Sequence, residues 1–301
     1  MKQPFVFLLA TILMIGGIFA LWQLLYGTKS NAGTYVLTPL PELPKRDTPP
    51  NRPTTATTTP PPTVTIPTGP AQNQPQPLAT YLEITTGCTL TLGETCQKAY
   101  AKPDSSSGVK SQLRIGSVLY VKRTLTGTDG NLWYEIDFPE SLRYPDRLSL
   151  PWYVPYTAGV LIRTHGAQEL TDTTPTSTKR LVVDRSDQKL FAYEGDTLVH
   201  TYTVSTGREL TPTPRGTFRI FRKTPSRYMQ GPIPGISENY YDLPGVPWNL
   251  YFTAQGAVVH GAYWHNGFGR PYSNGCVNVD PKEARALYEW ADLGMTIVVR
   301  D

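Results

Sequence analysis

The sequence predicts a mainly β protein: an apolar helix at the N-terminus, then a small barrel, then a larger β domain that closes with one helix. Three observations predict it. The 301 residues include 25 glycines, 29 prolines and 18 tyrosines, a balance that favours strands and ordered loops over helices. Short apolar clusters recur between turn signals from residue 79 onward. A long uncharged apolar run stands at the start of the chain, from Phe5 to Tyr26. The length allows two small domains with segments left over.

The N-terminal run is 22 residues long, with Gln23 its one strongly polar residue. As a helix it would extend about 33 Å, enough for a hydrocarbon core. A cleaved leader has a shorter apolar core and a small-x-small site, which Ile18-Phe19-Ala20 fits poorly. The expectation is therefore an uncleaved signal anchor over residues 1–28. It makes the lipid bilayer a partner and places the protein at the cell membrane as a single-pass protein, its domains outside the cytoplasm. Lys2 and Lys29 flank the span and orient it only weakly. Residues 29–78 read as a linker. Thirteen prolines and ten threonines fall within 38–77, so the stretch has little to bury and should be extended. As polyproline II it would reach up to about 120 Å.

Residues 79–156 form the next unit. Leu113–Ile115, Val118–Val121, Leu132–Ile136 and Trp152–Val154 read as short strands of a small barrel. Arg114-Ile115-Gly116-Ser117 precedes one strand, and Asn131-Leu132-Trp133-Tyr134-Glu135-Ile136 follows a glycine turn. In these features the unit resembles bacterial SH3-like domains. Cys88 and Cys96 lie eight residues apart within it. A bridge between them would stabilise by roughly 2.5 kcal/mol in the chain-entropy model and needs an oxidising compartment. The alternative is two free thiols on paired strands.

Residues 157–178 read as a second connector, ending in a Thr-rich run. From 179 to 301 lies the larger β domain. Leu181–Val183, Leu190–Tyr193 and Leu198–Val204 read as a meander, with turns at Ser186-Asp187-Gln188 and Glu194-Gly195-Asp196. Residues 223–250 are rich in glycine, proline and aromatics and read as a long ordered loop over a cleft. Strands at 250–253 and 257–260 follow. Asp280-Pro281 reads as N-cap and first turn of a helix with Ala284, Leu287, Tyr288 and Ala291 on its apolar face. Gly294 ends it, and Thr296–Val299 returns as a strand.

The chemistry concentrates in 258–279. Two valines lead into His260, and Cys276 follows sixteen positions later, after Ser273-Asn274-Gly275. The glycines and aromatics between them describe a shaped loop. A thiol with an imidazole in reach is a nucleophile with its base. The permissive Ser273-Asn274-Gly275 turn would suit backbone N–H groups aimed at an oxyanion. The competing reading makes Cys276 a small packed residue and His260 a satisfied histidine.

His260-Gly261, then Ser273-Asn274-Gly275-Cys276-Val277-Asn278, resembles the L,D-transpeptidase catalytic domain, the YkuD-like family. Ser205-Thr206-Gly207 and Thr213-Pro214-Arg215-Gly216-Thr217-Phe218 resemble its earlier motifs. Asn274 stands where many members have histidine. The resemblance covers about 179–300 and implies a β-sandwich-like fold. It implies Cys276 as nucleophile, His260 as acid and base, and the Gly261 carbonyl as the group orienting the imidazole. Gly275, with Cys276 and Asn274, would supply oxyanion donors, and Ser273 either hydrogen-bonds within the site or serves the turn. Tyr263, Trp264 and Asn278 are the candidate substrate contacts, though the first two could simply pack. Peptidoglycan stem peptides would be the substrate, joined 3→3 through a thioester with release of D-alanine. No cofactor or metal is implied, although His260, His265 and Cys276 together admit a zinc reading.

The net charge of +4 does not require a nucleic-acid partner, and there is no basic-aromatic platform. The same residues would serve an L,D-carboxypeptidase, in which water replaces the acceptor amine. An inert wall-binding protein is the alternative of a different class.

Overall fold

The computed structural model describes residues 77–171 and 177–301. The expected anchor helix and the Pro/Thr-rich linker up to residue 76 lie outside the described residues. Among those described, no helix is long and apolar enough to cross a membrane. The single-pass membrane location is corrected on that finding.

Seven strands make the first sheet: β1 (Leu78–Ile84), β2 (Gln97–Tyr100), β3 (Val109–Leu113), β4 (Val118–Thr126), β5 (Leu132–Asp137), β6 (Trp152–Pro155) and β7 (Gly159–His165). Their order is β3-β2-β6-β5-β4-β1-β7. The barrel expected here is thus one sheet with edges at β3 and β7. Residues 159–165, expected in a connector, instead pair with β1 along its whole length, from Leu78↔His165 to Ile84↔Gly159. That register sets Ile162, its one buried residue, beside Tyr81. Cys88 and Cys96 form a disulfide. Trp133 is buried at 1% exposure, its ring edge-on to Tyr100, so it packs in the core.

Ten strands make the second sheet: β8 (Gln168–Glu169), β9 (Lys179–Asp184), β10 (Lys189–Glu194), β11 (Thr197–Ser205), β12 (Gly216–Arg219), β13 (Arg222–Ile233), β14 (Ser237–Tyr251), β15 (Val258–Gly261), β16 (Val277–Val279) and β17 (Thr296–Arg300). The order is β12-β17-β9-β10-β11-β16-β15-β14-β13-β8. β11 joins two halves: Thr197–Thr203 pair with β10, while Val204 and Ser205 pair with β16. Leu181, Leu190 and Ile297 from one half share a core with Leu250, Val259 and Val277 from the other. Helix α1 (Pro281–Trp290) adds Ala284, Leu287 and Tyr288 to that core. Asp280 caps α1 by accepting from the Lys282 amide, and proline occupies its first turn. The helix ends at Trp290; Gly294, with φ 79°, serves the turn into β17.

The long loop expected at 223–250 is a hairpin. β13 and β14 pair from Arg222↔Tyr251 to Ile233↔Ser237, with two register shifts. Prolines at 225, 232, 244 and 247 argue against a central strand. They are tolerated because β8 pairs only with Arg222 and Lys223, and β15 only with Leu250 and Tyr251. Between those ends the two strands pair with each other alone, and their outer edges need no ladder N–H. The first sheet covers the hairpin instead. Tyr228 sets its ring 4.9 Å from Phe138 and 6.2 Å from Trp152. Ser226 Oγ donates to Val118 O, and Gly245 passes so close to that carbonyl that an added Cβ would sit at 2.7 Å.

Candidate active site

β15 and β16 run parallel, pairing Val259 with Val277 and His260 with Asn278. Side chains alternate along a strand, so Val259, Val277 and Val279 enter the core while His260 and Asn278 share the opposite face. Cys276 is the bend immediately before β16, two residues ahead of Asn278. Pairing of β15 with β16 therefore brings the strand of His260 alongside the strand that Cys276 leads into.

His260 is buried at 1% exposure. Its Nδ1 lies 3.0 Å from Gly261 O and its Nε2 lies 3.2 Å from Asn278 Nδ2. A carbonyl can only accept, so the proton sits on Nδ1 and Nε2 carries the lone pair. Gly261 is required where it stands, since a Cβ there would meet Pro247 Cγ at 2.8 Å and Ala284 Cβ at 3.2 Å. Asn278, at 2% exposure, also bonds His265 Nε2 through Oδ1 at 3.1 Å. His265 Nδ1 accepts from Gly267 N–H at 3.1 Å. Both nitrogens of His265 are therefore occupied within the protein. Among the described residues no group of three His, Cys, Asp or Glu could hold a metal ion.

The turn before Cys276 is held by Ser273. Its hydroxyl accepts from Gly275 N–H at 3.1 Å and donates to Cys276 O at 2.6 Å. Gly275 adopts φ +113°, a conformation that side-chain-bearing residues rarely enter. Two expectations are corrected here. The Gly275 amide is committed to Ser273, so it is not a free oxyanion donor. Tyr263 is buried at 5% exposure and donates to Pro244 O at 2.7 Å, with Arg114 6.0 Å from its ring. It packs beneath the hairpin and does not line a cleft. Trp264 is half-buried, its ring 5.7 Å from that of His260. Asn274 accepts from Arg208, which ties the turn to the loop after β11. Gly207 N–H donates to Thr213 Oγ1, and Thr213 Oγ1 reaches Cys276 O at 3.4 Å. The earlier Ser-Thr-Gly and Thr-Pro-Arg-Gly segments thus frame the cysteine.

Cys276 is half-buried, and its Sγ lies 3.8 Å from Gly256 O. Burial pushes the thiol up, and the charge of Arg227 pulls the other way. Burial lowers His260 to about 4, against the Gly261 hydrogen bond, which raises it. Both directions favour a neutral thiol beside a neutral imidazole. Two residues that sequence reasoning did not assign to the site belong to its surroundings, and both sit on the hairpin. The Arg227 guanidinium acts on both Cys276 and His260, and its Nη1 is buried with no hydrogen-bond partner. Tyr241 is pushed up to about 12, first by burial and then by the charge of Cys276. Nothing within 258–279 signals either residue, because strand pairing alone brings the hairpin there.

Residues 178–299 match the family model of the L,D-transpeptidase catalytic domain, YkuD. The match takes in every strand from β9 to β16, together with α1. A Bacillus licheniformis protein named YkuD, described as a candidate L,D-transpeptidase, is 29% identical over 111 residues, or 36% of this chain. The chain spans 57% of the length of that relative. A cysteine-to-serine mutant of Enterococcus faecium L,D-transpeptidase is 21% identical over 46% of this chain and 55% of its own, with a TM-score of 0.38. An L,D-transpeptidase from Mycobacterium smegmatis is 19% identical over 76% of this chain and 100% of its own, with a TM-score of 0.39.

Proposed function

We propose that this chain is a peptidoglycan L,D-transpeptidase that forms 3→3 cross-links through a thioester on Cys276. One observation supports the reading most: β15 pairs in parallel with β16, so that a buried, neutral His260 stands beside Asn278, two residues after Cys276. The match of residues 178–299 to the L,D-transpeptidase domain supports it.

Neutral partners favour proton transfer during attack over a standing ion pair. Cys276 Sγ attacks the carbonyl of the donor's third residue while His260 Nε2 takes the thiol proton. The tetrahedral oxyanion is stabilised by the backbone N–H of Cys276, the Gly275 amide being held by Ser273. His260 returns the proton to the leaving amine, and D-alanine departs. An amine on a second stem's third residue then attacks the thioester. Its proton passes to His260 and the thiol is restored. Residues 179–301 are the catalytic domain in this reading, and the module expected at 79–156 extends through β7 to His165. The Cys88–Cys96 bond suits an oxidising compartment.

The test is incubation with a defined stem tetrapeptide and analysis of products by mass. Cross-linked dimers with released D-alanine are the expected result. Shortened monomers alone would replace transfer by hydrolysis. An unchanged substrate with folded protein would leave the inert wall-binding reading.

A further inference from the structure

We propose that His265 is a positioning residue that sets, through Asn278, the tautomer in which His260 can act as a base. The inference rests on the transpeptidase reading for its kinetic consequence, though not for its structural one.

A chain of four hydrogen bonds carries it. Gly267 N–H meets His265 Nδ1 at 3.1 Å, His265 Nε2 meets Asn278 Oδ1 at 3.1 Å, Asn278 Nδ2 meets His260 Nε2 at 3.2 Å, and His260 Nδ1 meets Gly261 O at 3.0 Å. The two ends of this chain are backbone groups with fixed roles, since an amide N–H only donates and a carbonyl only accepts. From the first end, His265 Nδ1 must accept, so the His265 proton lies on Nε2 and donates to Asn278 Oδ1. The Asn278 amide must then turn its NH2 toward His260, whose Nε2 accepts. From the other end, Gly261 O demands a proton on His260 Nδ1. Both ends give one assignment without conflict.

The reverse assignment fails. Turning the Asn278 amide over would ask His265 to accept at both nitrogens, which a neutral imidazole cannot do. Protonating His265 would set its Nδ1–H against the Gly267 N–H. Burial lowers His265 and disfavours that form. His265 and Asn278 are 7% and 2% exposed, so water does not readily replace either bond. His265 itself lies five residues after His260 and makes no bond to it in this chain. Its hydrogen-bonding influence passes through Asn278, and its charge acts on His260 directly, lowering it.

The consequence is specific. His260 holds its lone pair on Nε2 before substrate arrives; the Asn278 N–H occupies it, and that bond must give way for a thiol proton to be received. A wrong tautomer of a catalytic histidine lowers kcat by up to about 10,000-fold in a serine protease triad. Asn278→Asp places a charged acceptor where His260 Nε2 now finds a donor, so Nε2 should gain a proton while Gly261 O keeps the one on Nδ1. His265→Phe frees the Asn278 amide to rotate. His265→Gln keeps an N–H near the position of Nε2 and should restore the bond.

The experiment is nitrogen NMR of the full chain with labelled histidine, alongside kcat and KM on a stem tetrapeptide. Wild type should show His260 protonated at Nδ1. Asn278→Asp should show Nε2 protonated, with kcat down at least 100-fold and KM little changed. His265→Phe should show mixed His260 tautomers and kcat down about 10-fold, and His265→Gln should recover most of both. A His260 that keeps Nδ1–H alone in folded His265→Phe, or in Asn278→Asp, overturns the proposal. If His265→Phe does not fold, Asn278→Asp and His265→Gln still decide it by the NMR signal. A tautomer that obeys these changes in a protein that turns over no tetrapeptide would sink the transpeptidase reading and leave the relay standing.

Discussion

The segment from Ala262 to Cys276 and the hairpin of β13 and β14 meet at the same thiol, yet they are ordered by different means. The first is held by a few bonds of its own and by the chain following β11, where Thr206 O accepts from Tyr272 and Ser273 N–H, Arg208 N–H donates to Ser273 O and Thr213 Oγ1 reaches Cys276 O. Ser273 closes the turn on Gly275 and Cys276, and His265 bonds Gly267. The second is held from outside. Tyr144 exchanges bonds with Gln230 and donates to Pro232 O, Arg147 donates to Gly231 O, and Ser226 donates to Val118 O. Arg147 lies between the rings of Tyr144 and Tyr240, 3.9 and 4.5 Å from their centres. The Cys276 turn is therefore held by its own residues and by the chain after β11 in the same sheet, whereas the hairpin facing it depends on the first sheet.

That contrast can be broken or sharpened. The largest effect should come from Gly275→Ala, which forces a side chain onto φ +113°. The nearest atom to the new Cβ is Thr211 O at 3.8 Å, so the penalty is backbone strain and not a clash. Activity should fall more than 10-fold and stability by about 1–2 kcal/mol, read from kcat/KM and urea midpoints. Retained activity would show that the turn is not locally constrained. Arg147→Ala should cost about 1 kcal/mol. It should raise hydrogen exchange in 231–242 while leaving 262–276 protected; equal loosening of both would erase the distinction.

Acidity tests the buried imidazole. The unfolded chain takes up a proton on His260 near pH 6.5, while the fold resists until about 4. The fold should be fully stable, as far as this group goes, above 6.5 and lose stability as pH falls from there toward 4. Urea midpoints of wild type and His260→Gln across that range check it: the variant should show a shallower loss. The smallest expected change is in Arg227→Gln. Without that cation the Cys276 thiol should titrate higher, and the alkylation midpoint against pH should move upward. An unmoved midpoint would remove the hairpin from the electrostatics of the site.

The same division explains what the sequence made legible. β10 alternates cleanly, α1 carries its own cap and proline, and the His-Cys segment names its chemistry within twenty-two residues. The hairpin hid behind its prolines and behind Val246–Tyr251, six residues buried in a row with no period of two to read. β7 hid because its pairing partner, β1, lies some eighty residues away. The sequence leaves Tyr263 and Trp264 each able to line the site or pack, and for Tyr263 the choice follows from Pro244 O against its hydroxyl. Gly275 was misread because its amide is taken by a side chain two residues back, a contact that spacing does not reveal. Asn278 and His265 could have been suspected together only with the strand register in hand.

The most direct test of Cys276 as an acylated nucleophile is intact-protein mass after exposure to a carbapenem, with the adduct located by peptide mapping. Wild type should gain the mass of one carbapenem, mapped to Cys276, and folded Cys276→Ala should gain none. A folded wild type that takes up no adduct, or a Cys276→Ala protein that still does, would contradict the account.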